Sequence, residues 1–238
     1  MSETQQTHTD VGQLEFQGRT EPDGDGRSAS TIETLLADAT SLDLVQSEVR
    51  HRFRNIVSIT QSLVNQTLRD GVTMPEARDS LNRRLNAMGT AIDLLLRNDW
   101  RPGSFREVVG KALASHDGYH DRIHCDGPEL MAGSNAVLAL TLALHELGTN
   151  AIKHGALSAP TGAVNVFWKV IDGLPGPKLW MQWNEHGGPP VAQPSGSGFG
   201  SRLVSKATAR ALGGEADLDF SPSGLSWTLI APLDRISA

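Results

Sequence analysis

The 238-residue chain has one cysteine, one tyrosine and no run long and apolar enough to cross a bilayer. A lone Cys125 excludes an intrachain disulfide and fits a reducing compartment, so the expected location is the cytoplasm. The most apolar stretch, Ala136–Leu144, falls well short of the roughly 18 residues that a membrane span needs. A basic segment followed by an apolar one is missing from the start, which argues against a secretion signal. An excess of positive charge is also missing. Residues 1–40 carry eight acidic and two basic side chains, which accounts for the whole net charge of −6. The rest of the chain is balanced, with 19 basic and 19 acidic residues. Neither nucleic acid nor a membrane is therefore an expected partner.

What is present changes character twice along the chain. Residues 1–29 are rich in Thr, Gln, Gly, Asp and Glu without hydrophobic period, and read as a disordered acidic tail. Over residues 30–100 the period is helical. Leu42, Val45, Val49, Ile56, Ile59 and Leu63 recur at heptad steps, with Phe53, Val57 and Val64 widening the stripe. After a turn at Gly71 and Met74-Pro75, Leu81, Leu85, Met88, Ile92 and Leu95 repeat the pattern. Two such helices cannot bury both stripes alone, so the expectation is a homodimer closing a four-helix bundle. Residues 101–238 read as mixed. Helices are expected at Phe105–Ser115, Asn135–His154 and Phe199–Leu212, and strands around residues 122–125, 164–170, 179–183, 215–220 and 225–231. The fold class is thus α+β, a helical hairpin followed by an α/β sandwich.

Three groups of residues carry chemistry. His51 lies about 150° from the centre of its helix's apolar stripe, so it is not a packing residue. Arg50, Arg52 and Arg54 surround it and Asn55 follows one turn later. A neutral imidazole there is a nucleophile beside cations that favour phosphate; the alternative is an ordinary histidine on a solvated basic face. The second group, Glu146, Asn150, Lys153 and His154, shares one face of a single helix. A carboxylate, an amide oxygen and an ammonium in one stripe suit a Mg²⁺–triphosphate, with Asn150 as metal ligand. The third, Gly196, Gly198 and Gly200, leads into a helix and could cradle phosphate with backbone N–H groups, although a flexible loop is the default for so short a motif. His116, His120, His124 and Cys125 imitate a metal site, but Asp117-Gly118 breaks any continuous helix through them.

Taken together, four motifs in order resemble those of the HWE family of sensor histidine kinases, within the ATPase superfamily of gyrase, Hsp90, histidine kinases and MutL. They are His51-Arg52-x-x-Asn55, the His145-led helix continuing as Asn-Ala-Ile-Lys-His-Gly-Ala-Leu-Ser over Asn150–Ser158, Trp183-x-Glu185, and Trp227-Thr-Leu. The similarity runs from about residue 42 to 233. It implies a dimerisation and phosphoacceptor hairpin over 30–100 and a catalytic ATP-binding domain over 101–238. It also implies ATP and Mg²⁺, autophosphorylation of His51, and transfer to an aspartate of a response-regulator receiver domain. By the same resemblance Glu185 accepts a hydrogen bond from the adenine amino group, Gly187 lets the backbone approach the base, and Lys153, His154 and the glycine loop bind the nucleotide. Glu146 would orient or deprotonate a group near the γ-phosphate. Arg52 stands where many such kinases have an acid, which leaves Glu48 as a substitute base. Asn55 is placed to hold water for the reverse, phosphatase reaction. The tail is too short for a sensory domain, so a separate sensor protein is expected. Two other readings remain: a histidine phosphotransferase or phosphatase acting on a response regulator, and a non-catalytic nucleotide-binding scaffold that sequesters a regulator.

Overall fold

The computed structural model describes residues 47, 49–50, 52–65, 67–68, 73–114, 116, 118–191 and 199–238. Glu48, His51, Gly196 and Gly198, all singled out from sequence, lie outside the described residues. The chain divides into two compact units between Val57 and Ser58.

In the smaller unit the described residues are helical, and Val49, Phe53 and Val57 repeat at four-residue steps. They are 47%, 66% and 49% exposed, so an apolar stripe lies open along this helix.

The larger unit begins within helix α1, residues 52–65, at Ser58. Helix α2, Met74–Arg97, starts where Thr73 donates both its backbone N–H (3.1 Å) and its hydroxyl (2.8 Å) to Glu76. A carboxylate in the first turn also suits the helix dipole. The helix stops at two successive left-handed residues, Asp99 and Trp100, with the Trp100 N–H returning to the Leu95 carbonyl at 2.7 Å. Its buried face differs from the expected stripe. Met88 and Leu95 are buried as the heptad predicts, but Leu85 is exposed and the face is completed by Ala77, Arg84, Ala87, Ala91 and Leu94. Small residues on that face let α2 lie close to α4, Ser134–Lys153, against which it packs.

Helix α4 is the centre of the unit and is buried along most of its length, including Leu140, Leu144 and Leu147. Helix α3, Phe105–Ala114, packs beside it. The main sheet has the order β2-β4-β5-β7-β6, from strands Ile123–Asp126, Ala163–Ile171, Lys178–His186, Gly224–Pro232 and Glu215–Ser221 respectively. Only the β2–β4 pair is parallel. A separate two-stranded ladder joins β1, Gly103–Ser104, to β3, Met131–Ala132.

Alternate residues of the three central strands are buried, and each strand puts one tryptophan into the core: Trp168, Trp183 and Trp227. Every indole N–H finds an acceptor, as burial requires. Trp168 donates to the Pro128 carbonyl at 2.9 Å and packs on Phe105 of α3. Trp227 donates at 2.8 Å to the Val204 carbonyl. Val204 lies in a π-helical turn, Leu203–Ala207, between α5, Phe199–Arg202, and α6, Thr208–Leu212. Gly213 ends α6 in the left-handed region, at φ 62°. A short α7, Leu233–Ser237, closes the chain. The architecture is mixed α/β, with helices on a five-stranded sheet. Among the described residues no helix is long and apolar enough to cross a membrane.

Candidate active site

A pocket of about 560 Å³ opens where α2, α4, the end of β5 and the start of α5 converge. Its architecture begins with α4. Glu146, Asn150 and Lys153 recur at four- and three-residue steps, so they share a face, and that face is one wall of the pocket. From Glu146 to Lys153 the helix rises about 10 Å. His154 follows at the helix end and also lines the pocket, as do Glu185 of β5 and Gly200 of α5. The structure therefore brings together Glu146, Asn150, Lys153, His154, Glu185 and Gly200. Gly187 lies just past β5 at φ 71°, a conformation that suits glycine, with its open side toward the Thr161 carbonyl. Asn55 lies on α1 and is half-buried.

Glu185 explains the Trp-x-Glu spacing. Residues two apart on a strand face the same way, so Trp183 and Glu185 both turn inward from β5. The Trp183 indole donates to one carboxylate oxygen at 3.1 Å, and the Ala156 backbone N–H donates to the other at 2.7 Å. Glu185 is 6% exposed. Burial raises its carboxyl above the ordinary carboxylate range, and the two hydrogen bonds oppose that shift. Each oxygen keeps a lone pair for a donor entering the pocket. Gly155 is part of the same construction. A Cβ there would run into the Glu185 carboxylate and approach the Ala151 Cα at 2.8 Å.

Glu146, two turns back along α4, is equally buried but held by charge. Arg84 of α2 grips it with Nε at 2.9 Å and a terminal nitrogen at 3.1 Å. The other terminal nitrogen donates to the Thr67 hydroxyl at 2.7 Å, and Thr67 in turn donates to the Leu63 carbonyl at 2.6 Å. One guanidinium thus ties the end of α1, α2 and α4 together. Arg84 was not singled out from sequence. The available signal was a charge within a predicted apolar stripe, three residues after Leu81 and four before Met88.

Lys153 is exposed at the pocket edge. Partial burial lowers its pKa from the usual lysine value, and the nearby charge of Arg83 pushes the same way. His145, turned away from this wall, stacks on His116 with ring centroids 5.2 Å apart. Burial, the His116 ring and the charges of Arg83 and Arg84 push its pKa down to about 4. His116 is therefore a packing partner of His145. Among the described residues no group of three His, Cys, Asp or Glu side chains is placed to hold a metal ion.

Residues 48–129 match the model of the HWE histidine kinase family. Over 191 residues, 80% of the chain, it is 38% identical to proteins named blue-light-activated histidine kinase from Brucella ovis, Brucella abortus and Brucella anthropi. The chain belongs to the HWE histidine kinase family. It spans 39% of the length of those relatives. Among solved structures it is similar in fold to the EL346 blue-light activated histidine kinase of Erythrobacter litoralis. The TM-score is 0.55 at 18% identity, covering 79% of this chain and 59% of that one. The isolated histidine kinase domain of the same protein gives a TM-score of 0.50 at 16% identity, covering 76% of this chain and 98% of that one. Within this HWE chain the family match takes in α1, α2 and α3, whereas the pocket's two carboxylates lie beyond it.

Proposed function

We propose that the chain is the phosphoacceptor and ATP-binding portion of a two-component protein-histidine kinase, which autophosphorylates His51 and passes the phosphoryl group to a response-regulator aspartate. The pocket carries this reading. A buried carboxylate answered only by neutral donors, Glu185, lies at one end, and the Glu146–Asn150–Lys153 wall runs from it with cations along its length. Glu185 would accept the adenine amino group, Gly187 would give the base room, and Lys153, His154 and the loop of Gly196, Gly198 and Gly200 would hold the phosphates. The donor set suits a hard cation. The Asn150 amide stands beside Glu146, and at Gly200 a Cβ would come within 3.3 Å of Asn150 and 3.2 Å of Glu146, so the glycine keeps that space open. Mg²⁺ held by Asn150 would neutralise developing phosphate charge. Glu146 or Glu48 would take the proton or orient the attacking group.

The partition into a hairpin over 30–100 and a catalytic domain over 101–238 belongs to this proposal. So does homodimerisation, supported by the open stripe of Val49, Phe53 and Val57 and by exposed Leu85. A response-regulator receiver domain is the proposed acceptor, with Asn55 positioning water for the reverse reaction.

Incubation with γ-labelled ATP and Mg²⁺ tests the reading. Wild type should take an acid-labile, base-stable label, His51→Ala none, and Asn150→Ala far less than wild type. Equal label on wild type and His51→Ala would refute the phosphoacceptor assignment. One observation favours a second reading: Arg84 occupies both oxygens of Glu146, which suits a phosphotransferase or phosphatase with little autokinase activity. A wild-type chain that binds ATP, takes no label and speeds dephosphorylation of a regulator would establish it.

A further inference from the structure

Helix α2 contributes more to the pocket than a packing surface. Ser80, Arg83 and Arg84 all line it, and all three come from the helix that the sequence assigns to dimerisation. The two arginines differ. Arg84 is 5% exposed and its guanidinium is shared between Glu146 and Thr67. Arg83 is half-buried and, among the described residues, makes no ion pair or hydrogen bond. Its charge nevertheless acts on the neighbouring helix. It lowers the pKa of Lys153 on α4 and of His145 behind that wall. The neighbouring acids do not answer it, since Glu146 is gripped by Arg84 and Asp79 pairs with Arg78 at 3.6 Å. Two cations from different helices therefore face one cavity; Glu146 and Asp79 offset part of the charge on Lys153, but among the described residues neither acid forms an ion pair with Lys153 or Arg83. Such an arrangement repels itself until an anion enters.

We infer that Arg83 is a phosphate ligand of the nucleotide, so that α2 forms part of the ATP site. The inference rests on the ATP-binding reading given above. Arginine suits the role because its planar fork can bridge two phosphate oxygens, and Lys153 would complete the cradle as a point charge from α4. Arg84 would stay on Glu146 and keep α2 at the distance from which Arg83 can reach.

The experiment is titration calorimetry on the full chain with MgATP, MgADP and adenosine, for wild type, Arg83→Ala and Arg83→Lys. Arg83→Ala should weaken MgATP by about tenfold or more, the size of one charge-assisted hydrogen bond. It should weaken MgADP less and leave adenosine unchanged, and Arg83→Lys should recover part of the loss. If Arg83→Ala binds MgATP as tightly as wild type, or loses ATP and adenosine equally, Arg83 is not a phosphate ligand and the ATP-binding reading stands. If wild type binds neither MgATP nor adenosine, the ATP-binding reading itself fails and this inference fails with it.

Discussion

The two ends of the pocket hold equally buried carboxylates in opposite ways. Glu185 rests on an indole N–H and a backbone N–H, both neutral and both fixed by the sheet and the end of α4. Glu146 rests on one guanidinium delivered by a different helix. The first arrangement belongs to the sandwich and holds wherever α2 lies. The second exists only while α2 is docked. On the proposed function, base recognition would belong to the sheet layer, and the environment of Glu146 would be set by α2.

The largest expected effect comes from breaking the charged end. Arg84→Ala leaves Glu146 buried without the guanidinium that pairs with it and removes the donor to the Thr67 oxygen, so the loss should be about 3–5 kcal/mol in urea unfolding. Removing both charges tells a different story. Arg84→Met combined with Glu146→Leu should recover most of that loss, because the desolvation penalty disappears with the pair. A double variant as unstable as Arg84→Ala would show that the guanidinium is needed for its bond to Thr67 and not for charge balance.

The neutral end should respond less in stability and more in pH. Gly155→Ala forces a methyl group against the Glu185 carboxylate and should cost about 1–3 kcal/mol, with adenosine affinity falling in parallel. Burial raises the folded-state pKa of Glu185 above its ordinary 4.5. Its contribution to stability is therefore fully present below that value and lost as pH rises through the raised one. Adenosine binding should run the other way, weak while Glu185 is protonated and gained as it ionises. A calorimetric series from pH 5 to pH 8 that shows no such rise would separate Glu185 from base recognition.

How much of this contrast could be read in the sequence depends on distance along the chain. The Glu146–Asn150–Lys153 face lies on one helix, so its spacing alone declares it, and Trp183 and Glu185 are two residues apart on one strand. Helix boundaries at Phe105, near Gly155 and at Gly213 were equally local. The Arg84 clamp joins residues 62 apart, and no periodicity encodes such a pair. The π-turn at Leu203–Ala207 carries a contact across the fold, the Trp227 indole donating to the Val204 carbonyl, whereas the local sequence of Phe199–Leu212 spells one plain helix. Which flank of the α2 stripe packs inward is not legible for a related reason. α4 selects the face with alanines, and Leu85 is left on the outside.

The smallest expected effect lies beside the charged end, at Gly200. An added methyl group would stand 3.2 Å from a Glu146 oxygen and 3.3 Å from the Asn150 amide nitrogen, closer than most Cβ contacts but short of a collision. Both neighbours are side-chain tips, so they can shift by a few tenths of an ångström, and the fold should lose less than about 1 kcal/mol. The space it would take is the one proposed for a metal and the phosphates, so the cost should appear in the ligand. Gly200→Ala should weaken MgATP several-fold while adenosine, bound at the Glu185 end, keeps its affinity. Equal weakening of both ligands would mean that the methyl group disturbs the whole pocket, and the two ends would then not be separable in the way their hydrogen bonds indicate.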